Sequence, residues 1–148
     1  IRGRQGLALR EKWHAGPRTF VGVMVDDFPN MFMVMGPHAA LGNNPRSIEF
    51  NVEWIRDVIA HAWQHGHDSV EVRDESVQAW AEFVMQKAQG LLSNDVDSWM
   101  TGVNMNVEGK QTRTIVRYTG TAPEYRARCR EVVDGGFKEL QFERAAGL

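Results

Sequence analysis

The sequence is poor in cysteine: Cys129 is the only one among 148 residues, so the chain cannot form an internal disulfide. Freedom from disulfides is typical of a reducing compartment, and we expect a cytoplasmic protein. The chain also lacks an apolar run of the roughly 20 residues that a membrane helix needs. Its first residues, Ile1 to Arg4, lack the apolar core of a signal peptide. These absences predict a soluble protein that has no membrane partner.

The chain also lacks a large excess of either positive or negative charge. The formal net charge is -2 with 24% charged residues, which gives no basic surface for nucleic acid. The 43% of hydrophobic residues exclude a disordered chain, and 148 residues suffice for one globular core. We therefore predict a single partial domain over residues 1–148. Because the chain begins at Ile1 rather than at methionine, we expect it to be part of a longer protein.

Apolar and turn-forming segments alternate along the chain and predict a mixed fold. Asn44 and Pro45 predict the start of a first helix, as its cap and first residue, and Gly66 predicts its end. Asp74 predicts the cap of a second helix, and Pro123 the opening of a third. This alternation is typical of an α/β fold with mixed α and β layers. The β-prone segments predict strands over residues 19–25, 31–35, 69–72, 112–119 and 137–142.

Apolar residues at helical spacing predict the buried face of each helix. They are Ile48, Val52, Ile55, Ile59 and Ala62 in the first helix, Val77, Trp80, Val84, Ala88 and Leu91 in the second, and Tyr125, Cys129, Val132 and Val133 in the third. This pattern makes Cys129 a buried structural thiol rather than a nucleophile.

Three histidines raise the question of a metal site, because His61 and His65 are four residues apart on one helix face and His67 follows. No carboxylate or thiolate joins them in a recognisable ligand arrangement. Histidine is also frequent in the last turn of helices, where its cationic form interacts favourably with the helix dipole. We therefore predict a solvated helix end and no metal.

The segment from Phe28 to Glu49 is the most informative part of the chain. It predicts a buried strand, a turn and a helix whose N-terminus leaves the carboxyl end of that strand, which is where ligands bind in open α/β sheets. The free N–H groups of the first helical turn favour an electron-rich oxygen, such as that of a phosphate or a ring carbonyl. An ordinary βα junction with a good cap is the commoner explanation when this pattern is taken alone.

A second candidate is Trp99, which lies among small and polar residues in the segment 97–104. Its indole can pack on a planar ring or a ribose. An aromatic side chain packed under a loop is the alternative, and the local pattern does not decide between the two.

Several short motifs together carry a family resemblance. They are GPRTF at 16–20, FPNMFM at 28–33, GPH at 36–38, PRSIE at 45–49, VEWI at 52–55 and DSW at 97–99. In order and spacing they resemble the C-terminal region of Baeyer–Villiger monooxygenases, and the resemblance runs over nearly the whole chain. Residues 91–113 look most similar to the branch that acts on large cyclic ketones.

The resemblance implies an activity and a set of contacts. Enzymes of this family use FAD, NADPH and dioxygen to insert an oxygen atom next to a ketone carbonyl, giving an ester or a lactone. By resemblance, Asn44 and Pro45 lie against the flavin ring and Trp99 contacts the nicotinamide cofactor. Ala40 and Leu41 fall on the loop that lines the substrate pocket. None of these residues is expected to be catalytic.

The chain also lacks parts that the family carries. No Gly-x-Gly-x-x-Gly phosphate loop follows a strand, and the arginine beside the flavin is missing. The resemblance therefore implies the C-terminal portion of a two-dinucleotide-binding-domain flavoprotein, with the Rossmann cores missing. We expect the chain to be inactive without its N-terminal FAD and NADP domains, and to expose apolar surface around residues 31–35 and Trp99.

Two other functions remain open at this point. A flavin monooxygenase that oxidises nitrogen or sulfur shares much of the same scaffold. A binding module that has lost catalysis is the alternative from another class.

Overall fold

The computed structural model describes residues 1–40, 42–98, 101–109 and 111–144. Its helices are α1 (Leu9–Lys12), α2 (Asn44–Gln64), α3 (Asp74–Ala88) and α4 (Ala122–Asp134), its strands are β1 (Ser69–Val72) and β2 (Leu140–Glu143), and 3-10 turns cover Arg4–Gly6 and Leu92–Asp95. The predicted class, a mixed fold of helices and strands, is confirmed.

Strands β1 and β2 form an antiparallel pair, with Ser69 opposite Glu143 and Val72 opposite Leu140. Within the described ranges this pair is the whole of the sheet. The strands predicted over 19–25, 31–35 and 112–119 are wrong, since these segments run through the structure as turns and irregular backbone with isolated bridges. The last predicted strand, 137–142, begins three residues later than expected, at Leu140.

The apolar segment around Val21 is a buried turn, not a strand. Val21 and Gly22 adopt left-handed backbone conformations with φ of 47° and 70°. They fold the chain back so that the N–H of Phe20 donates to the carbonyl of Met24 at 2.8 Å. The segment is apolar because it is buried, and burial alone does not require an extended backbone.

Helix α2 starts one residue earlier than expected. Asn43, not Asn44, is its cap, because the Asn43 side chain accepts a hydrogen bond from the N–H of Arg46 at 3.2 Å. Asn44 is therefore the first helical residue and Pro45 the second. Asp74, predicted as the cap of α3, likewise lies inside that helix as its first residue.

The buried face of α2 differs from the predicted one. Its buried residues are Asn51, Trp54, Val58 and Ala62, whereas Ile48, Val52 and Ile59 are exposed. The apolar arc of the helix is broader than the surface that covers it, so the periodicity marks the helix but not which edge of the arc faces the core. The predicted faces of α3 and α4 are confirmed at Val77, Trp80, Val84, Ala88, Tyr125, Cys129 and Val132, while Leu91 is exposed beyond the end of α3.

Helices α2 and α4 pack together at the centre of the core. The indole N–H of Trp54 donates to the carbonyl of Cys129 at 3.1 Å. Burial raises the pKa of the Cys129 thiol to about 12, which keeps it protonated and unreactive. The prediction of a buried structural thiol is confirmed.

No helix within the described residues has both the length and the apolar character to cross a membrane. The three histidines at the end of α2 lie in series, with ring centroids 4.2 Å apart for His61 and His65 and 6.4 Å apart for His65 and His67. In the part of the chain that the structure describes, they do not form a cluster that could hold a metal ion.

Candidate functional site

The candidate site is the loop that enters α2, described at residues 36–40, 42 and 43. One side of the loop is held by the buried turn around Val21. The N–H of Gly36 donates to the carbonyl of Gly22 at 3.0 Å, and the hydroxyl of Thr19 donates to the carbonyl of Pro37 at 2.8 Å. On this side, the loop contributes only main-chain atoms to the contacts, so they depend on the geometry of the turn and not on the loop's own side chains.

At Gly22 the turn lies directly against the loop, next to Ala39. A β-carbon on Gly22 would lie 2.5 Å from the backbone nitrogen of Ala39, and the residue has a φ of +70°. Only glycine satisfies both conditions without displacing the loop. The turn and the loop are thus interlocked at this residue.

Residues 115–118 hold the other side of the loop, through His38. The N–H of His38 donates to the carbonyl of Val116 at 3.1 Å, and its ring Nε2 lies 2.8 Å from the carbonyl of Ile115, so Nε2 carries the proton. The N–H of Tyr118 donates to the carbonyl of Ala39 at 3.3 Å. Sequence reasoning missed His38 as a loop anchor, because its partners lie far along the chain.

Burial lowers the pKa of His38 below its ordinary value, and the charge of Arg18 adds to this effect. The folded protein therefore holds His38 neutral while the unfolded chain protonates it near pH 6.5. Below about pH 6.5 the unfolded chain takes up a proton at His38 that the folded protein does not, so the free energy of unfolding decreases as the pH falls further. We expect the urea midpoint of the chain to fall between pH 7.5 and pH 5.5, and the His38→Gln variant to show a weaker fall.

His61 supplies the comparison for this prediction, because burial and the neighbouring His65 and His67 also lower its pKa. The His61→Gln variant should remove a smaller part of the pH dependence, since His61 is less buried than His38. An unchanged slope in His38→Gln would show that His38 titrates normally in the folded protein.

A buried polar network lies behind the loop and joins it to two helices. The side-chain oxygen of Asn51 accepts from the N–H of Met35 at 2.9 Å, and its amide donates to the Tyr125 hydroxyl at 3.1 Å. The Tyr125 hydroxyl in turn donates to the carbonyl of Val21 at 2.6 Å. Burial raises the pKa of Tyr125 well above its ordinary value, so the hydroxyl remains a donor. The network ties α2 and α4 to the turn around Val21 and to Met35, the residue just before the loop.

The start of α2 is open to solvent. Asn44 and Pro45 are exposed, and Pro45 has no N–H to satisfy. Asn43 caps the N–H of Arg46, and no described residue accepts a hydrogen bond from the N–H of Asn44. Among the described residues, the helix start thus presents one main-chain donor without an acceptor, one side-chain amide and the positive end of the helix dipole, which fit an electron-rich oxygen such as a flavin carbonyl.

The other predicted contacts fall in different places. Ala40 is buried in the core, where it forms an isolated bridge with Tyr118, so its role beside a substrate stays a prediction. Leu41 and Trp99 lie outside the described residues.

The described residues that flank Trp99 are tied to the loop. The N–H of Thr114 donates to the carbonyl of Thr101 at 2.7 Å. Thr114 directly precedes the two residues whose carbonyls bind His38. One segment therefore connects the loop of the candidate site with the neighbourhood in which sequence reasoning predicted the nicotinamide contact.

No protein-family model matches the sequence, but individual proteins match nearly all of it. Cyclohexanone 1,2-monooxygenase of an Acinetobacter species is 36% identical over 148 residues, covering 98% of this chain and 26% of that protein. A Baeyer–Villiger monooxygenase of Pseudooceanicola batsensis is 36% identical over 146 residues, 99% of this chain and 26% of its own length. A phenazine N-monooxygenase of Lysobacter antibioticus is 38% identical over 138 residues, 93% of this chain and 25% of its own length. The chain spans about a quarter of the length of these relatives.

Solved structures match the fold over the same extent. Cyclohexanone monooxygenase from Rhodococcus sp. Phi1 bound to NADP+ matches with a TM-score of 0.90 and 34% identity, covering 98% of this chain and 27% of that one. The OTEMO complex with FAD and NADP matches with a TM-score of 0.81 and 25% identity over 96% of this chain and 26% of its own. Sequence and fold agree: over nearly its whole length, this chain is homologous to a segment of Baeyer–Villiger and cyclohexanone monooxygenases that makes up about a quarter of their length.

Proposed function

We propose that this chain is part of an FAD- and NADPH-dependent monooxygenase that inserts an oxygen atom next to a ketone carbonyl, giving an ester or a lactone. The observation that carries the proposal is the similarity, along 98% of the chain and with a TM-score of 0.90, to a cyclohexanone monooxygenase that binds NADP+. A large cyclic ketone is the proposed substrate, and the single buried cysteine favours a cytoplasmic enzyme.

The proposed role of this chain is to position the flavin ring, and none of its residues is proposed to be catalytic. The N–H and the side-chain amide of Asn44 would donate to a flavin carbonyl. Pro45 has no N–H, so Asn44 would be the donor to that carbonyl. When bound, FAD would supply the electrons, taken from NADPH, with which dioxygen is activated. The free donor and the helix dipole would stabilise negative charge on the reduced ring.

The remaining contacts are proposed on the same basis. Trp99 would pack against the nicotinamide, and Ala40 and Leu41 would border the substrate. The chain has no phosphate loop of its own, so the pyrophosphates of both cofactors would be bound by the FAD and NADP domains of the complete enzyme. Residues 1–148 would act as a single partial domain attached to them.

A chimera tests the proposed flavin contact. In it, residues 1–148 replace the matching quarter of the Rhodococcus cyclohexanone monooxygenase. We expect Asn44→Asp to slow flavin reduction by NADPH about tenfold, because its carboxylate opposes the charge that develops on the ring. The substitution should not harm the helix, since an acidic residue in the first turn is favourable.

Asn43→Asp is the matched control. It adds the same charge one residue earlier, but its carboxylate still accepts the N–H of Arg46, which offsets part of the charge. In the control variant, NADPH should therefore reduce the flavin at a rate closer to that of the unsubstituted chimera. Equal rates for the two variants, measured at the flavin absorbance after rapid mixing, would count against a flavin at the start of α2.

Oxidation of an aromatic nitrogen is the second candidate function. A phenazine N-monooxygenase is 38% identical to this chain, and the same flavin scaffold would serve that reaction. The two functions differ in product, because a ketone gives a lactone or an ester whereas a phenazine gives an N-oxide. Product analysis therefore separates them.

A further inference from the structure

Helix α2 carries a row of exposed apolar side chains along the face beside its start. The row, here called the α2 stripe, consists of the exposed Ile48, Val52, Ile59 and Trp63, with the half-buried Ile55 between Val52 and Ile59. Trp63 is 81% exposed and Val52 is 51% exposed. The spacing of three and four residues keeps all five on one side of the helix. The stripe is therefore a continuous surface along the full length of α2.

The α2 stripe lies next to the buried face of the same helix. Asn51, Trp54 and Val58 face the core, and the stripe continues their apolar arc around the helix. Single exposed apolar residues are normal, but a contiguous apolar surface on one element marks an interface. Among the described residues, no other helix or strand has as many exposed large apolar side chains as α2.

The C-terminal end of the stripe borders a groove. A cavity of about 310 Å³ lies between α2 and β1, lined by Ile59 and Trp63 on one side and by Phe32 and Val70 on the other. A side chain from another segment can enter it. The stripe thus combines a flat apolar row with a concave end, as docking faces within multidomain proteins do.

The lengths of the relatives identify the occupant. This chain matches about a quarter of a cyclohexanone monooxygenase, so the part of such an enzyme that this chain does not cover is a candidate occupant. The stripe begins one turn from the helix start at Asn44, where the proposed flavin would lie. A domain that holds the flavin at that end of α2 is next to the stripe.

We infer that the α2 stripe is the surface on which the remaining three quarters of the same polypeptide dock. The inference rests on the proposed function, because it takes the occupant to be the cofactor-binding part of the complete enzyme. A second copy of this chain is the competing occupant.

Co-purification tests the inference. The probe is the other three quarters of the Rhodococcus cyclohexanone monooxygenase, carrying an affinity tag and co-expressed with the 148-residue chain. The unsubstituted chain should be retained. The double variant Val52→Glu/Ile59→Glu should be retained on the order of tenfold less, because it forces two charges into an apolar interface.

The matched control is Ala60→Glu/Gln64→Glu, which adds the same charge on the polar side of α2, outside the stripe, and should be retained like the unsubstituted chain. Val52 and Ile59 are solvent-exposed in this chain, so their replacement should leave its fold intact. Circular dichroism and the thermal midpoint of each purified variant check this before the retained amounts are compared.

Three results would overturn the inference. The first is that the unsubstituted chain is not retained, and the second is that both double variants are retained equally. The third is that sedimentation shows the isolated chain as a dimer that Val52→Glu/Ile59→Glu makes monomeric, which would assign the stripe to a second copy. The FAD content of the retained complex is measured separately. A retained complex without FAD contradicts the proposed function but supports docking. A complex that contains FAD and is retained equally well with Val52→Glu/Ile59→Glu overturns docking alone.

Discussion

Replacing Gly22 with alanine should destabilise the fold by about 2–6 kcal/mol, the sum of backbone strain and forced displacement of the neighbouring loop. The added β-carbon would lie 2.5 Å from the backbone nitrogen of Ala39, and the backbone has a φ of +70° that alanine rarely adopts. Folded domains have only about 5–15 kcal/mol of stability in total. Equilibrium urea unfolding of the variant and the unsubstituted chain measures the difference.

Gly136→Ala separates the two causes. Gly136 has a nearly equal φ of +72°, but no atom lies within 4 Å of the position that its β-carbon would take. We expect this control to lose only about 1 kcal/mol, the cost of strain without a clash. Equal losses in the two variants would show that the approach of the Gly22 turn to the loop does not constrain the fold.

Replacing Asn51 with leucine should destabilise the fold by about 2–4 kcal/mol, because unpaired buried polar groups cost about 1–3 kcal/mol each. Leucine has as many side-chain heavy atoms as asparagine, so the loss does not come from a cavity. The N–H of Met35 loses its acceptor, and the hydroxyl of Tyr125 loses a donor. The same urea titration measures the effect.

Tyr125→Phe is the partner variant for this prediction. It leaves Asn51 bound to Met35 but removes the donor to the carbonyl of Val21, and should lose about 1–3 kcal/mol. Asn51 and Tyr125 share a hydrogen bond, so the double variant should lose less than the two single variants added together, by about 0.5–3 kcal/mol. Strict additivity would contradict a coupled network.

The parts of the fold that could be predicted are those with local signals. The start of α2 was placed within one residue, because an asparagine pair followed by proline is a strong helix-start signal. Strand β1 was also predicted with its observed bounds, Ser69–Val72. Both depend on contacts between near neighbours in the sequence.

The segment around Val21 shows why other parts could not be predicted. Its composition signals burial, and burial suits a strand and a tight turn equally well. In the turn, the carbonyl of Val21 accepts a hydrogen bond from the hydroxyl of Tyr125, more than a hundred residues away. No local sequence pattern reveals that pairing. Gly22 was the one available signal, since a glycine within an apolar run often marks close backbone approach.

The candidate site divides in the same way. The open helix start at Asn44 follows from local sequence, whereas the anchoring of the loop by His38 depends on residues 115 and 116. The assignment of that helix start to a flavin came from the family resemblance. The residues of the helix start by themselves indicate only a helix end that can bind an oxygen atom, a property that many ordinary junctions share.

The measurement that tests the central claim most directly is the product that the chimera with the Rhodococcus enzyme forms from cyclohexanone. The chimera should retain FAD, consume NADPH and dioxygen in step with the ketone, and yield the ring-expanded lactone. Thermal unfolding establishes beforehand that the chimera is folded. A folded chimera that binds no FAD, or that gives a phenazine N-oxide but no lactone when it is offered both a phenazine and cyclohexanone, would contradict the claim that residues 1–148 serve a ketone-oxidising flavoprotein.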